Sequence, residues 1–189
     1  MSFRAPAPLI PLDHPRIHVD LKYASTDNFM KKDMYARFEL KKAYVIPALR
    51  DALFSILPRL EKENLELLIY DAYRPQAVQV EMFARVPDEN FLANPAKGSN
   101  HTRGAAVDLT LADAQGRALP MPTEFDVFSP RSAHGFAVEP HEKYLAANRE
   151  KLRELMTLAG LEGVPSEWWH YQIKGARSLP LLPDPPTVS

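Results

Sequence analysis

Two histidines and one aspartate stand where the sequence offers most for chemistry. His101 lies in the polar segment 98–104, which leads directly into an apolar stretch containing Asp108, and His170 follows Glu167 by three residues. Imidazole and carboxylate groups form an ordinary ligand set for a catalytic zinc ion, which takes three protein ligands and keeps one position for water. These three side chains could therefore hold one divalent cation.

Glu167 is the candidate acid/base of such a site. It stands outside the ligand set but close to it in the chain, where it could take a proton from a bound water and later give it to a leaving amine. The chain has no cysteine, which excludes thiolate ligands, iron–sulfur clusters, disulfides and a cysteine nucleophile. It also lacks the HExxH signature of helical zinc peptidases. Spacing alone is therefore weak support for the metal site.

Each candidate also has an ordinary structural interpretation. A single histidine in a polar loop is more often a surface or capping residue, Arg74 could simply pair with Asp71, and Trp168 and Trp169 are typical of core packing. Asp108 is harder to explain in this way, because a buried carboxylate without a partner is costly and demands a cation, an arginine or a metal. The remaining histidines, which we assign no chemistry, are His14, His18, His134 and His141.

Two strands must bring the candidate ligands together. Asp108 alternates with apolar residues, so it faces away from the core if they face toward it. The same alternation in 168–173 groups His170 with Trp168 and Gln172. We therefore expect Asp108 and His170 to lie on one open face of a sheet.

The other predicted elements give an α+β pattern. Helices precede and follow strands without regular βαβ alternation, which is typical of a single domain with a small antiparallel or mixed sheet flanked by helices. The predicted strands are Leu65–Tyr70, Ala105–Leu111 and Trp168–Ile173. The first predicted helix is Lys42–Asn64, which Pro47 and Pro58 should start or kink. The second is Pro75–Val86, with Ala77, Val80 and Phe83 on one face. The third is Pro140–Ala159, which Gly160 stops.

Length and composition suit one domain spanning residues 1–189. A chain of 189 residues that is 46% hydrophobic supplies enough apolar surface for a core without metal or disulfide staples. Proline concentrates at the two ends, about 1–15 and 180–189, which we interpret as extended arms.

Charge and hydropathy predict a soluble, cytoplasmic protein. A formal net charge of −1 with no basic run argues against nucleic acid as a partner. No uncharged apolar run approaches the roughly 18 residues of a membrane span, and prolines interrupt the N-terminal stretch where a signal peptide would be apolar. We expect a small-molecule substrate and no membrane partner, and the sequence leaves the oligomeric state open.

Four motifs in order along the chain together resemble one family. They are Asp20–Phe29 (DLKYASTDNF), Asp71–Gln76 (DAYRPQ), Ser99-x-His101-x-x-Gly104-x-x-x-Asp108 followed by Leu109-Thr110-Leu111, and Glu167–Tyr171 (EWWHY). These motifs are similar to those of the D-alanyl-D-alanine dipeptidases of the VanX type, which are zinc peptidases related to D,D-carboxypeptidases. The resemblance spans about residues 20–173 and implies an α+β fold whose central sheet bears the metal.

The resemblance assigns a role to each candidate. It implies one zinc ion per chain, bound by His101, Asp108 and His170. It implies that Glu167 is the catalytic acid/base and that Arg74 stabilises the transition state. The implied reaction is hydrolysis of the dipeptide D-Ala-D-Ala to two D-alanines, in either cell-wall precursor turnover or glycopeptide resistance.

The resemblance also implies substrate contacts. A segment similar to the family's M-G-x-x-F-D sequence ends at Asp126, whose counterpart meets the free ammonium of the dipeptide. Tyr23 and Ser99 match family positions near the substrate. Pro122 stands where the family usually has glycine, and Asn100 where serine is common, so the shape of the pocket is expected to differ in detail.

Two other functions compete with this one. The first is a D,D- or L,D-carboxypeptidase that trims longer peptidoglycan peptides, which would suit an exported protein better. The second is a binding module that keeps the fold without catalysis. Such a module should have lost the acid/base, yet Glu167 and Arg74 are both present.

Overall fold

A five-stranded sheet is the centre of the computed structural model, which describes residues 3–187. Residues 1–2 and 188–189, the outermost parts of the two predicted arms, lie outside the described residues. The strands are β1 (Ile10–Pro11), β2 (Ile17–Val19), β3 (Tyr44–Val45), β4 (Glu66–Asp71), β5 (Ala106–Ala112), β6 (Leu161–Gly163) and β7 (His170–Ile173). The α-helices are α1 (Pro47–Ser55), α2 (Leu57–Lys62), α3 (Gln76–Arg85) and α4 (Lys143–Leu158).

The strand order of the main sheet is β2-β4-β5-β7-β6. β2 pairs with β4 in parallel and the other neighbours are antiparallel, while β1 and β3 form a separate antiparallel pair. The sheet is therefore mixed, and the predicted α+β class is confirmed. Short 3-10 helices at Lys22–Ala24, Ala36–Phe38, Pro130–Ser132, Pro140–Glu142 and Ala176–Ser178 join the larger elements.

The strand register places acidic and imidazole side chains beside one another. Asp108 on β5 is the direct partner of His170 on β7, and on its other side it pairs with Asp71 on β4. An irregularity between Ile69 and Asp71 shifts the register of β4 at this point. The expectation that Asp108 and His170 share one face of a sheet is confirmed.

Helix α4 covers part of the sheet with one apolar face. It contacts β5 and β6, and Leu145, Leu152, Leu155 and Met156 are buried on this side. Burying each such side chain stabilises the fold by about 1.5–3 kcal/mol. The helix ends before Gly160, whose φ of 76° is the left-handed conformation of a helix C-terminus.

The predicted first helix, Lys42–Asn64, is wrong at its beginning, whereas the prediction that Pro47 and Pro58 start or kink it is confirmed. Residues 44–45 form β3, which pairs with β1. Pro47 forces the residue before it into extended backbone, and Ile46 has φ −70° and ψ 154°. Pro47 then opens α1. Ile56 separates α1 from α2, and Pro58 lies in the first turn of α2, where its missing N–H is tolerated.

The predicted face of the second helix is also wrong. Val80 is 48% exposed, whereas Val78, Gln79 and Met82 are buried. The buried Gln79 amide is paired at both ends: its Nε2 donates to the Ala93 carbonyl at 2.7 Å, and its Oε1 accepts from an arginine described below. These polar contacts decide which face of α3 is buried, and a prediction based on apolar periodicity does not include them.

The last strand begins two residues later than predicted. Residues 168–169 form a turn, and β7 starts at His170. The Trp168 indole N–H donates to Thr123 Oγ1 at 2.9 Å, which draws this ring away from the alternation of the strand. The predicted placement of Trp168 beside His170 is therefore wrong, whereas both tryptophans are buried as the packing interpretation expects.

The described parts of the proline-rich ends lie against the domain. Ile10–Pro11 pairs with Tyr44–Val45 in the two-stranded sheet, and the Tyr73 hydroxyl donates to the Pro183 carbonyl at 2.9 Å. Between residues 3 and 187 there is no helix with both the length and the apolarity to cross a membrane.

Candidate metal centre and active-site cleft

Three donor atoms form a small triangle beside β5. His101 Nε2 lies 3.2 Å from His170 Nδ1 and 3.3 Å from Asp108 Oδ1, and the remaining side, from His170 Nδ1 to Asp108 Oδ1, is 3.0 Å. The folded chain thus brings together all three ligands predicted from the sequence, although 62 residues separate Asp108 from His170.

The donor set fits a tetrahedral cation. Ligand atoms 2.0–2.1 Å from a tetrahedral zinc ion lie roughly 3.3 Å from one another. The sides of the triangle, 3.0–3.3 Å, are close to that separation. Two imidazoles and one carboxylate supply three ligands, which is the number that a catalytic zinc site takes from its protein.

His101 is held by backbone contacts. Its Nδ1–H donates to the Ala72 carbonyl at 2.8 Å, which leaves the Nε2 lone pair free to face the other donors. A tight turn follows, in which the Gly104 N–H donates to the His101 carbonyl at 2.9 Å. Gly104 has φ 64°, and a Cβ there would lie 2.4 Å from Leu9 Cδ2, so the turn requires glycine. Ser99 Oγ accepts the His101 backbone N–H at 3.2 Å.

Asp108 is held in its charged form. Burial by itself would raise the pKa of this carboxyl, but the imidazoles of His101 and His170 outweigh that effect and hold the pKa below its ordinary value. Asp108 therefore presents the carboxylate oxygen that a metal requires.

Glu167 lies beside the triangle without being part of it. Its Oε2 is 4.0 Å from His170 Nδ1. Burial raises the pKa of Glu167 to about 7, with the imidazole of His170 and the guanidinium of Arg74 opposing the rise and Asp108 adding to it. A carboxyl with a pKa near neutrality can both accept and return a proton at physiological pH.

Arg74 is fixed on the opposite side of the carboxylate of Asp108. Its Nε and Nη2 donate to Asp71 Oδ2 at 2.9 and 2.7 Å, and Nη1 donates to Gln79 Oε1 at 2.8 Å. Nη2 also lies 3.6 Å from Asp108 Oδ2. Tyr35 completes the support by donating its hydroxyl to Asp71 Oδ1 at 2.5 Å. Arg74 therefore makes the simple ion pair with Asp71 and reaches the candidate site as well.

Asp126 and Tyr23 form a second polar pair in the same region. The Tyr23 hydroxyl donates to Asp126 Oδ2 at 2.6 Å. Loss of contact with water raises the pKa of Asp126 well above its ordinary value, and the carboxyls of Asp108 and Glu167 act in the same direction. Asp126 has φ 59°, an uncommon backbone conformation for a non-glycine residue that is often found at functional sites.

One cleft of about 200 Å³ is lined by all eight residues that the sequence analysis assigned to metal binding, catalysis or substrate contact. They are Tyr23, Arg74, Ser99, His101, Asp108, Asp126, Glu167 and His170. Aromatic side chains, Phe91, Phe128 and Trp169, form part of the wall. The volume suits a small substrate.

The charges around the cleft call for cations. Four carboxyls, those of the buried Asp71, Asp108 and Glu167 and of the partly buried Asp126, lie around the buried guanidinium of Arg74. A divalent metal and the ammonium group of a substrate would stabilise the ionised forms of these carboxyls.

Some residues around the cleft carry no role in the sequence analysis. Gln79 and Tyr35 support the Arg74–Asp71 pair, and no motif signal marks either one. Asn100 and Gln172 hydrogen-bond each other beside the imidazoles; their positions next to the predicted ligands could have indicated them. Arg177 lines the cleft, and we find no hydrogen bond or ion pair to its guanidinium within residues 3–187.

The chain is similar to known dipeptidases over most of its length. The model of the Peptidase_M15 family, described as D-Ala-D-Ala dipeptidase, matches residues 12–185. A D-alanyl-D-alanine dipeptidase of Escherichia coli (strain K12) is 39% identical over 173 residues, which are 90% of this chain and 86% of that protein. One from Enterococcus faecium is 31% identical over 175 residues, 82% of this chain and 85% of that protein.

A solved structure shares the fold. The LD-carboxypeptidase LdcB has a TM-score of 0.51 at 16% sequence identity, covering 92% of this chain and 72% of that one. At this identity the likeness concerns the fold alone.

Proposed function

The chain belongs to the D-Ala-D-Ala dipeptidase family, Peptidase_M15, and we propose on that basis that it hydrolyses D-Ala-D-Ala to two D-alanines with one zinc ion held by His101, Asp108 and His170. The observation that carries the proposal is the triangle of donor atoms 3.0–3.3 Å apart in a cleft that also holds Glu167 and Arg74.

Glu167 is the acid/base of the reaction. When bound, a zinc ion supplies Lewis acidity toward a carbonyl and lowers the pKa of water. His101 Nε2, His170 Nδ1 and Asp108 Oδ1 are the atoms that would hold it. Glu167 takes up a proton at its carboxylate as water attacks the peptide, and it returns that proton to the departing amine. Its raised pKa supports both steps.

Arg74 stabilises the negative charge that develops on the peptide oxygen. Its guanidinium is oriented in advance by Asp71 and Gln79, so little reorganisation is needed during the reaction. A donor of this kind is worth about 2.7–4 kcal/mol of transition-state stabilisation.

Asp126 and Tyr23 bind the amino end of the dipeptide. An ammonium group favours the ionised form of Asp126, whose carboxylate is otherwise disfavoured by its surroundings. A peptide that is blocked or extended at this end lacks the ammonium and would leave the carboxylate unpaired. Arg177 offers a free cationic group to the carboxylate at the other end.

Product analysis tests the proposal against the carboxypeptidase alternative. The purified chain should release D-alanine from D-Ala-D-Ala, lose this activity with a metal chelator and regain it with zinc. It should leave L-Ala-L-Ala intact and act poorly on a pentapeptide that ends in D-Ala-D-Ala. Efficient trimming of the pentapeptide with no release from the free dipeptide would favour the carboxypeptidase.

The proposal extends to organisation and location. We expect one folding unit over residues 1–189, supported by the contact of Tyr73 with Pro183, and hence a single cooperative unfolding transition. We expect a cytoplasmic location, which cell fractionation tests. The partner is the small-molecule substrate.

A further inference from the structure

We infer that Gln172, held by Asn100, is a positioning residue that keeps His170 in its metal-binding tautomer; this inference rests on the proposed function. Gln172 Oε1 lies 3.2 Å from His170 Nε2 and 2.7 Å from Asn100 Nδ2. An amide oxygen can only accept hydrogen bonds, so it places the imidazole proton on Nε2. His170 Nδ1 then carries a free lone pair. This is the atom that lies 3.0 Å from Asp108 Oδ1.

The two imidazoles are fixed by different means. His101 donates to a backbone carbonyl, that of Ala72, which no side-chain motion can remove. His170 depends on a side-chain amide. If that amide rotated by itself, its NH₂ group would face His170 Nε2, and the imidazole proton would move to Nδ1, the atom needed for the metal.

Asn100 opposes such a rotation. Its Nδ2 donates to the same oxygen of Gln172, so an amide rotated alone would set two NH₂ groups against each other. Asn100 is also next to His101 in the chain, and Gln172 lies on β7 two residues after His170. Their hydrogen bond therefore joins the loop that carries one imidazole to the strand that carries the other.

Zinc affinity, measured by competition with a chromophoric chelator, tests the inference. Gln172→Leu removes the acceptor, and we expect zinc to bind about 10- to 100-fold more weakly, the usual effect of losing the partner of a metal-bound imidazole. Gln172→Glu keeps an acceptor oxygen and should restore affinity to within about 3-fold of the wild type. Asn100→Ala should also weaken zinc binding, by a smaller factor than Gln172→Leu.

The matched control is Gln76→Leu. Gln76 is a half-buried glutamine like Gln172, but it lies on α3, and its Nε2 donates to the Pro95 carbonyl at 3.0 Å, outside the cleft. Its replacement should leave zinc affinity unchanged. Thermal unfolding of each metal-free variant shows whether it folds. If Gln172→Leu does not fold, the zinc affinity of Asn100→Ala is compared with that of the wild type instead.

The outcomes separate this inference from the proposed function. Equal zinc affinity in the wild type and Gln172→Leu, or equal weakening in Gln172→Leu and Gln172→Glu, overturns the positioning role. A wild type that binds zinc tightly but does not cleave D-Ala-D-Ala contradicts the proposed function and leaves the zinc comparison valid.

Discussion

Asp108 and His170 face each other as direct partners across β5 and β7, with Oδ1 and Nδ1 3.0 Å apart. Their separation is set by the register of two adjacent strands in the middle of a sheet, where the backbone is fixed by ladder hydrogen bonds. His101 comes from the loop that leads into β5 and is anchored to Ala72, directly after β4. The candidate ligands thus belong to rigid parts of the fold.

Removing a ligand should remove the metal. For Asp108→Ala and His170→Ala we expect loss of stoichiometric zinc and a fall in kcat/KM of at least about 1,000-fold, because two protein ligands hold zinc poorly and its contribution to catalysis is several kcal/mol. Elemental analysis and dipeptide hydrolysis measure the two effects. His141→Ala, which changes an exposed histidine, is the control. Full zinc content in either ligand variant would contradict the site.

Glu167→Gln should separate catalysis from metal binding. The amide has nearly the same shape but cannot take a proton, so we expect zinc content to stay at the wild-type level while kcat falls by about 100- to 10,000-fold. Zinc analysis and steady-state kinetics on one preparation provide the measurement. A variant that keeps more than a tenth of the wild-type kcat would remove Glu167 from the acid/base role.

Arg74→Lys should lower turnover and stability together. A lysine ammonium cannot reproduce the paired bonds to Asp71 or the bond to Gln79, and it leaves a buried carboxylate poorly paired. We expect kcat to fall about 100- to 1,000-fold with little change in KM, and the free energy of unfolding to fall by about 3 kcal/mol. Arg153→Lys, at an exposed pair with Glu150, should alter neither quantity appreciably. Wild-type kinetics for Arg74→Lys would refute its assigned role.

The sequence predicts which side chains gather in the cleft better than it predicts the local structure around them. Alternation in two short apolar stretches is enough to put Asp108 and His170 on sheet faces. The four motifs name Tyr23, Arg74, Ser99, His101 and Glu167, and the segment that ends at Asp126 adds that residue. Alternation does not say which strands are neighbours. The pairing of Asp108 with both Asp71 and His170 depends on long-range register, which only the folded sheet determines.

Each error in the predicted helices has a local physical cause. In α3 the apolar pattern favours an inward Val80, but the buried Arg74 needs an acceptor, and Gln79 takes the inward position instead. In the segment before α1, Pro47 sets the backbone of Ile46 whatever the apolar spacing suggests. A polar contact overrides hydrophobic periodicity in α3, and proline sterics override it before α1.

Asp126→Asn should weaken recognition of the amino end of the substrate. The amide keeps the shape and can still pair with the Tyr23 hydroxyl, but it cannot balance an ammonium charge. We expect KM for D-Ala-D-Ala to rise about 10- to 100-fold, since a hydrogen bond to a charged group contributes about 1.5–3 kcal/mol. The preference for the free dipeptide over its N-acetyl form should shrink by a similar factor. Assaying both substrates tests this, and an unchanged preference would place the ammonium elsewhere.

His134 should make the stability of the fold sensitive to mild acid. Both ring nitrogens are buried without a hydrogen-bond partner within residues 3–187, and the ring packs edge-on against Tyr171. Burial, with help from Arg149 and Arg153, lowers the pKa of His134 to about 4. The unfolded chain takes up this proton near pH 6.5, so the stabilisation is complete above pH 6.5 and is lost progressively as the pH falls toward 4.

The variant His134→Gln removes this source of acid sensitivity. Between pH 7.5 and 5.0 we expect its free energy of unfolding in urea to fall by about 1 kcal/mol less than that of the wild type, a value that allows for the part of the ring that stays in contact with water. His141→Gln changes an exposed histidine and should retain the wild-type dependence on pH. Because other titrating groups are common to all three proteins, the difference between them isolates His134. Parallel curves for the wild type and His134→Gln would show that the ring is not held neutral by its surroundings.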